Sequence, residues 1–252
     1  MAMLAFRSLI FNIAFYMLLI VLLILGIPAF FMTRFAVFRL ARIWGAGSLW
    51  LLHRICGLKV EFRGLENIPQ GGFVIAPKHQ SIWETFALVQ HFNDFSFVLK
   101  RELGWIPLFG WYTVKGEQIA IDRSRGASSL SQVTERTREC VGQGRQVFIF
   151  PEGTRRPAGA APQYKFGVAH VCCETGALCL PVALNSGLFW ARRSFLRRPG
   201  TVIVEFLPVI TPGKDKQAFL DQLRACVETA TSRIIGEAIA ADPSLAAVLP
   251  RA

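Results

Sequence analysis

At 252 residues, the chain has length for one sizeable domain plus an appendage. Its 52% apolar fraction is high for a soluble enzyme, and the absence of repeats, low-complexity linkers and metal-spaced cysteines argues against a second globular domain or a metal centre. A net charge of +11 suits an anionic lipid surface, each nearby cation contributing about 1 kcal/mol; nucleic acid is the rival partner, but no recognition motif supports it.

The apolar excess is concentrated at the start. From Leu9 to Met32 only Asn12 is strongly polar, and Arg7 and Arg34 bracket the run, a length that predicts a membrane helix. Gly26 and Pro28 predict a kink or stop near its end. Phe35 to Leu58 continues with mixed apolar and basic residues, among them Arg39, Arg42, His53 and Arg54, as expected of a segment lying in the interface. Residues 1–60 hold six Lys or Arg and no acid. A cleaved signal peptide fits poorly, because PAFFMTRF lacks a small-residue cleavage pattern. Residues 1–58 are therefore read as membrane-anchoring helices and 59–252 as the folded domain.

Beyond the anchor, strands are expected at 73–77, 96–100, 118–121, 147–150, 178–184 and 201–206, and helices at 82–92, 127–141, 165–177 and 215–238. LENIPQGG at 65–72 reads as a turn. Alternation of this kind predicts an α/β domain whose sheet is mostly covered by flanking helices. The apolar and aromatic run WIPLFGW at 105–111 could line an apolar groove, sit at a lipid interface or join the core.

Two blocks carry chemistry: KHQSIWET at 78–85 and FPEGTRR at 150–156. His79 with Glu84 supplies an imidazole and a carboxylate that can hold it as a general base. No serine nucleophile stands beside that base, so the attacking hydroxyl is expected to arrive with the substrate, which is the logic of acyl transfer. Glu152, Gly153, Thr154 and Arg155 supply groups that grip a charged, hydroxyl-bearing substrate. A competing structural reading also exists: Ser81 followed by Glu84 has the form of a capping box, in which Glu84 reaches back to the Ser81 backbone N–H.

Four blocks in order, HQSIWE, GEQIAIDR at 116–123, FPEGTR and LPVA at 180–183, resemble the 1-acylglycerol-3-phosphate acyltransferase family of glycerolphospholipid synthesis. The correspondence runs from about Phe73 to Val182. Position 84 is Glu where that family's HxxxxD block has Asp, and position 78 is Lys where Asn is common. The resemblance implies that His79 and Glu84 are catalytic and that Lys100, Arg123 and Arg155 meet the phosphate of a lysophospholipid acceptor. It implies an acyl-CoA or acyl carrier protein thioester as donor, no metal or redox cofactor, and an N-terminal pair of helices dipping into one leaflet rather than one spanning helix. A bacterial inner membrane, with the catalytic domain on the cytoplasmic side, is the expected location. Lys165 is a weaker phosphate candidate, and Arg156 is read as an exposed surface cation.

Other titratable residues read as structural. Cysteines 56, 140, 172, 173, 179 and 226 are expected as reduced thiols, and His53, His91 and His170 lack partners at ligand spacing. The basic pairs at 192–193 and 197–198 read as a solvated loop. Two alternatives stay open: an acceptor such as a lyso-ornithine lipid, with a carboxylate in place of phosphate, and a noncatalytic membrane-binding protein of this fold.

Overall fold

In the computed structural model, which describes residues 1–122 and 126–250, the apolar start folds as α1, Ala2–Leu25. Its 24 residues extend roughly 36 Å at about 1.5 Å each. The helix begins earlier than expected and stops at Gly26, after which Pro28 lies in a 3-10 turn, Ile27–Phe31. Proline has no N–H for a continuing helix, so the chain turns there. A second helix, α2 (Arg34–Leu51), runs into a π turn over Leu52–Cys56 and ends at Gly57, whose φ of 69° is left-handed. Both helical segments are long and apolar enough to cross a membrane by length and composition, with mean hydropathies of 2.7 and 1.2.

The remaining elements are β1 (Leu58–Arg63), β2 (Phe73–Pro77), α3 (Glu84–Ala87), β3 (Phe95–Lys100), α4 (Phe109–Lys115), β4 (Ile119–Ile121), α5 (Ala127–Gly142), β5 (Gln146–Phe148), α6 (Gly167–Thr175), β6 (Cys179–Leu184), α7 (Ser186–Phe189), β7 (Gly200–Phe206) and α8 (Lys216–Ala241). The described strands form a seven-stranded sheet in the order β1-β7-β6-β2-β5-β3-β4. Strands β6, β2, β5, β3 and β4 are mutually parallel, β7 runs antiparallel to β6, and β1 is parallel to β7. The C-terminal ends of the five parallel strands thus lie along one edge, where open α/β sheets bind their ligands.

Every residue of β2 and β6 is buried, as befits central parallel strands covered on both faces. Phe73 and Ile75 point into one core with Phe148, Leu180 and Val182; Val74 and Ala76 point into the other with Val147, Val168, Leu223 and Val227. The second face is covered by α5, α6 and α8. The first is covered by the N-terminal helices: Phe11, Phe15, Phe38 and Leu52 join Phe86 and Trp190 in one cluster, with Phe15 5.7 Å from each of those rings.

Charged clamps hold the hairpin to the sheet. Arg34, at the start of α2, donates to both oxygens of Asp94, with its shortest contact 2.8 Å. Arg145, 1% exposed, donates to Asp94 at 2.9 Å and to Glu117 at 3.0 Å. Such charge-assisted bonds satisfy a guanidinium that burial would otherwise penalise. Arg197 does the same for α1: its guanidinium lies 3.8 Å from the Trp190 ring centroid and donates to Asn12 at 2.8 Å, while its backbone N–H donates to Ser8. Burial lowers its pKa to about 10. The expected solvated loop at 192–198 is therefore corrected at Arg197, which is buried; Arg192 and Arg193 are exposed.

Three further expectations shift. The segment 59–63 is an edge strand with Lys59 exposed and Leu58 buried, a pairing with β7 that its short, charged sequence conceals. The helix expected at 82–92 is one turn, α3, followed by a 3-10 turn over Leu88–His91. Residues 109–115 form α4, placing Trp105 and Trp111 on the surface at 70% and 61% exposure rather than in the core. The six cysteines are free thiols, as expected.

Gly45 marks the closest approach of α2 to α3. A Cβ there would enter the space of the Phe86 carbonyl oxygen and Gln90 Nε2. Gly45→Ala is expected to destabilise the protein by about 1–3 kcal/mol through overpacking. Thermal unfolding of the detergent-solubilised chain checks this, and an unchanged melting temperature would contradict the packing.

Candidate active site

Strand β2 ends at Pro77 and delivers Lys78 and His79 to the sheet edge; the next turn delivers Glu84 as the first residue of α3. The Glu84 side chain has no exposure. Its Oε1 accepts from the Gln80 N–H at 2.9 Å, the Ser81 N–H at 2.8 Å and the Ser186 hydroxyl at 2.6 Å. Its Oε2 accepts from Ser81 at 3.1 Å and lies 3.8 Å from Nδ1 of His79. The return to the Ser81 N–H is the bond expected of a capping box, although Ser81 Oγ accepts from the Trp83 N–H instead of completing that box. The Ser81 N–H reaches both oxygens, while the Gln80 and Ser186 bonds stay on Oε1 and leave Oε2 nearest the imidazole, so the capping bond and the contact with the ring coexist on one carboxylate.

His79 is placed by two further contacts and stays partly open to solvent. Its ring stacks on Phe150 with centroids 3.8 Å apart, its carbonyl accepts from the Arg156 N–H at 2.8 Å, and its side chain keeps 14% exposure. Nδ1 is buried without a hydrogen-bond partner, and Glu84 is the acid it faces. A carboxylate opposite Nδ1 favours the tautomer that leaves Nε2 to accept a proton. At 3.8 Å the contact is longer than a hydrogen bond, and catalytic bonds of this kind shorten when substrate binds.

Strand β5 carries the second block to the same edge. The Gly153 N–H donates to the Phe150 carbonyl at 3.0 Å, closing a turn with Pro151 at its second position. Gly153 takes φ 64°, a left-handed conformation that a side chain would strain, and Lys165 folds over it. Thr154 is exposed and Arg155 half-buried, with no carboxylate among the described residues within ion-pair distance of Arg155. Glu152 does not orient Arg155: its fully buried carboxylate receives the Lys78 ammonium at 3.1 Å.

Lys100 is exposed at the end of β3, on the same edge but two strands from β2, roughly 10 Å away at about 4.8 Å per strand. Arg123 lies outside the described residues. Arg156 is half-buried and donates to the Ala161 carbonyl, so it is not the exposed cation expected. Three other groups at or near the site escaped sequence reading: Ser186, which follows β6 just beyond the fourth block, Tyr164 and Glu228. Lys78 was noted only as a departure from the family pattern. An Asn-Ser pair directly after a buried strand was the visible signal for Ser186. An open cavity of about 400 Å³ lies nearby, lined by Leu49, His53, Leu58, Lys59, Val60 and Trp83, the last adjoining Glu84.

His91 and His170 lie elsewhere. His91 packs against Phe62 and Phe206, and burial lowers its pKa. His170 lies 3.4 Å from the Lys216 ammonium.

Residues 59–185 match the acyltransferase family model. The chain is 38% identical over 194 residues to the 1-acyl-sn-glycerol-3-phosphate acyltransferase of Pseudomonas aeruginosa, covering 77% of this chain and 76% of that protein. It is 30% identical to the chloroplastic 1-acyl-sn-glycerol-3-phosphate acyltransferase LPAT1 of Arabidopsis thaliana, over 66% of this chain and 47% of that one. Its fold is similar to the crystal structure of the 1-acyl-sn-glycerophosphate (LPA) acyltransferase PlsC from Thermotoga maritima, with a TM-score of 0.76, 21% identity, and coverage of 91% and 96% of the two chains. The protein belongs to the acyltransferase family, and it is an enzyme of that class.

Ser186→Ala removes a hydroxyl donor from a buried carboxylate. The expected cost is about 1.5–3 kcal/mol of stability, read from denaturant unfolding in detergent. A wild-type midpoint would show that the Ser186 to Glu84 bond contributes nothing.

Proposed function

We propose that this enzyme transfers an acyl group from an acyl thioester to the 2-hydroxyl of a 1-acyl-sn-glycerol 3-phosphate, forming phosphatidic acid. The observation that carries the reading is the pairing of His79 with a fully buried Glu84 beside the Arg155 turn. Similarity to the Pseudomonas 1-acyl-sn-glycerol-3-phosphate acyltransferase supports the choice of acceptor. His79 Nε2 takes the hydroxyl proton as that oxygen attacks the thioester carbonyl. Glu84 faces Nδ1 and stabilises the imidazolium. The tetrahedral intermediate then collapses, the carbon–sulfur bond breaks, and the departing thiolate receives the proton from His79. Acyl-CoA and acyl carrier protein thioesters both satisfy this chemistry.

The acceptor phosphate is assigned to Arg155 with Gly153 and Thr154 on the turn, to Lys100 farther along the strand edge, and to Arg123 of the GEQIAIDR block. Arg155 offers a planar fork suited to phosphate, whereas Lys100 acts as a point charge. The open cavity of about 400 Å³ beside Trp83, lined by Leu49, Leu58 and Val60 together with His53 and Lys59, is assigned to part of an acyl chain.

Residues 1–58 serve as the membrane anchor of the 59–252 catalytic domain. Only Ser8, Phe11 and Phe15 of α1 are buried, while Phe6, Ile13, Met17, Ile20 and Ile24 are exposed. This face continues past Phe31, at 90% exposure, towards α4, where Tyr112 donates to the Leu23 carbonyl and Trp111 packs beside Phe30. An apolar surface of this extent suits lipid. Extracting a sixteen-carbon chain fully into water would cost roughly 13 kcal/mol at about 0.8 per methylene, so the enzyme meets its lysolipid at the bilayer. The assigned location is a bacterial inner membrane, with the catalytic domain on the cytoplasmic side.

His79→Ala is expected to abolish transfer while leaving membrane attachment intact, because loss of a triad-type base costs several orders of magnitude. Arg155→Ala is expected to raise the acceptor KM with less effect on the donor KM. Steady-state assays with lysophosphatidate and acyl-CoA check both; substantial activity in His79→Ala, or an unchanged acceptor KM in Arg155→Ala, removes the residue concerned from its role.

A further inference from the structure

Immediately behind His79 lies a buried ionic cluster that reaches beyond the family-matched segment. Lys78, 2% exposed, donates to Glu152 Oε1 at 3.1 Å and to Glu228 Oε1 at 2.7 Å. Glu228 is on α8, outside residues 59–185. Tyr164 donates to the same Glu228 oxygen at 2.9 Å, and its ring lies 5.6 Å from the ammonium. Burial and the neighbouring Glu228 carboxylate push the Tyr164 phenol well above its usual range, so it remains a donor. The next residue, Lys165, donates its N–H to the Pro151 carbonyl and folds its side chain over Gly153.

We propose that Lys78, Glu228 and Tyr164 are positioning residues that fix the Glu152–Arg155 turn relative to His79 and thereby set the enzyme's affinity for its phosphate-bearing acceptor. Lys78 is covalently joined to the proposed base, and Glu152 lies on the turn. One ammonium therefore ties the two halves of the site together, while Glu228 braces that ammonium from α8. The cluster holds two carboxylates against one ammonium, and Glu152 Oε2 is buried without a hydrogen-bond partner. A buried cluster left partly unsatisfied is a poor source of net stability, and what it supplies here is a fixed register between chain segments. Misplacement of a binding group by about 1 Å can cost on the order of a hundredfold in rate, so a brace at this distance is felt at the acceptor.

The inference rests on the assignment of Arg155 to the acceptor phosphate, and the test separates the two. Glu228 is 22% exposed, so its replacement leaves no buried void of consequence. In the full-length protein in detergent micelles, the acceptor KM for lysophosphatidate and the donor KM for acyl-CoA are measured for Glu228→Ala, Glu228→Gln, Tyr164→Phe and Arg155→Ala. Glu228→Ala, which removes the acceptor of both bonds, is expected to raise the acceptor KM roughly tenfold and leave the donor KM within about twofold. Glu228→Gln keeps an oxygen for Lys78 and Tyr164 and is expected to restore the acceptor KM to within about threefold of wild type, with Tyr164→Phe in the same range. A wild-type acceptor KM in Glu228→Ala, or acceptor and donor constants rising together, overturns the positioning role. If Arg155→Ala raises the acceptor KM and Glu228→Ala does not, this inference alone fails; if Arg155→Ala has no effect, the phosphate assignment fails.

Discussion

A carboxylate with no access to water is held in place only when hydrogen bonds compensate its lost hydration. Glu84 obtains them from the Gln80 and Ser81 amides and the Ser186 hydroxyl, while its second oxygen faces His79. Those donors come from the loop after β2 and from α7 after β6, two neighbouring strands. Glu84 thus ties the first sequence block to the chain just beyond the fourth, and the carboxylate that closes the backbone also faces the imidazole.

Parallel strands set the rest. Because β2, β5, β3 and β4 run in one direction, His79, Arg155, Lys100 and the end of β4 at Ile121 all emerge at a common edge. The sheet can take this form only if both faces are buried, and one of them is buried by α1 and α2. On the proposed function, membrane attachment and completion of the core are carried by the same two helices: Ser8, Phe11 and Phe15 of α1 are buried, while Phe6, Ile13, Met17, Ile20 and Ile24 are exposed. Arg34 and Arg145 secure the join through Asp94, and Arg197 secures it through Asn12 and the Trp190 ring.

The α/β class, the long apolar helix at the start and the order of blocks were legible in the sequence, since period, length and motif spacing are local properties. Buried strands such as FVIAP and CLPVAL announce themselves by continuous apolar character. Edge strand β1 did not, because three of its six residues are charged and its partner β7 is far away in sequence. Glu228 was invisible for the same reason, and the Asn-Ser pair after β6 marked Ser186 without disclosing its partner: both depend on which strand ends and helices meet, and no spacing rule encodes that. Lys78 stood out only as an unusual residue beside His79, and Glu152 drew attention as a ligand when its nearest charge proved to be Lys78. Arg197 shows the reverse error, a residue in a basic stretch that is buried against Trp190 because Ser8 and Asn12 of α1 supply its partners.

The most direct test of the link between this buried carboxylate and catalysis is the turnover of Glu84→Gln, measured beside its melting temperature. Glutamine keeps one oxygen for the Gln80, Ser81 and Ser186 donors but places an amide opposite Nδ1, where it can hold the wrong tautomer and cannot stabilise an imidazolium. A fall in kcat of roughly a thousandfold or more in a folded, membrane-bound protein is the predicted result. Wild-type turnover in that variant would leave Glu84 as a helix cap and His79 without its partner.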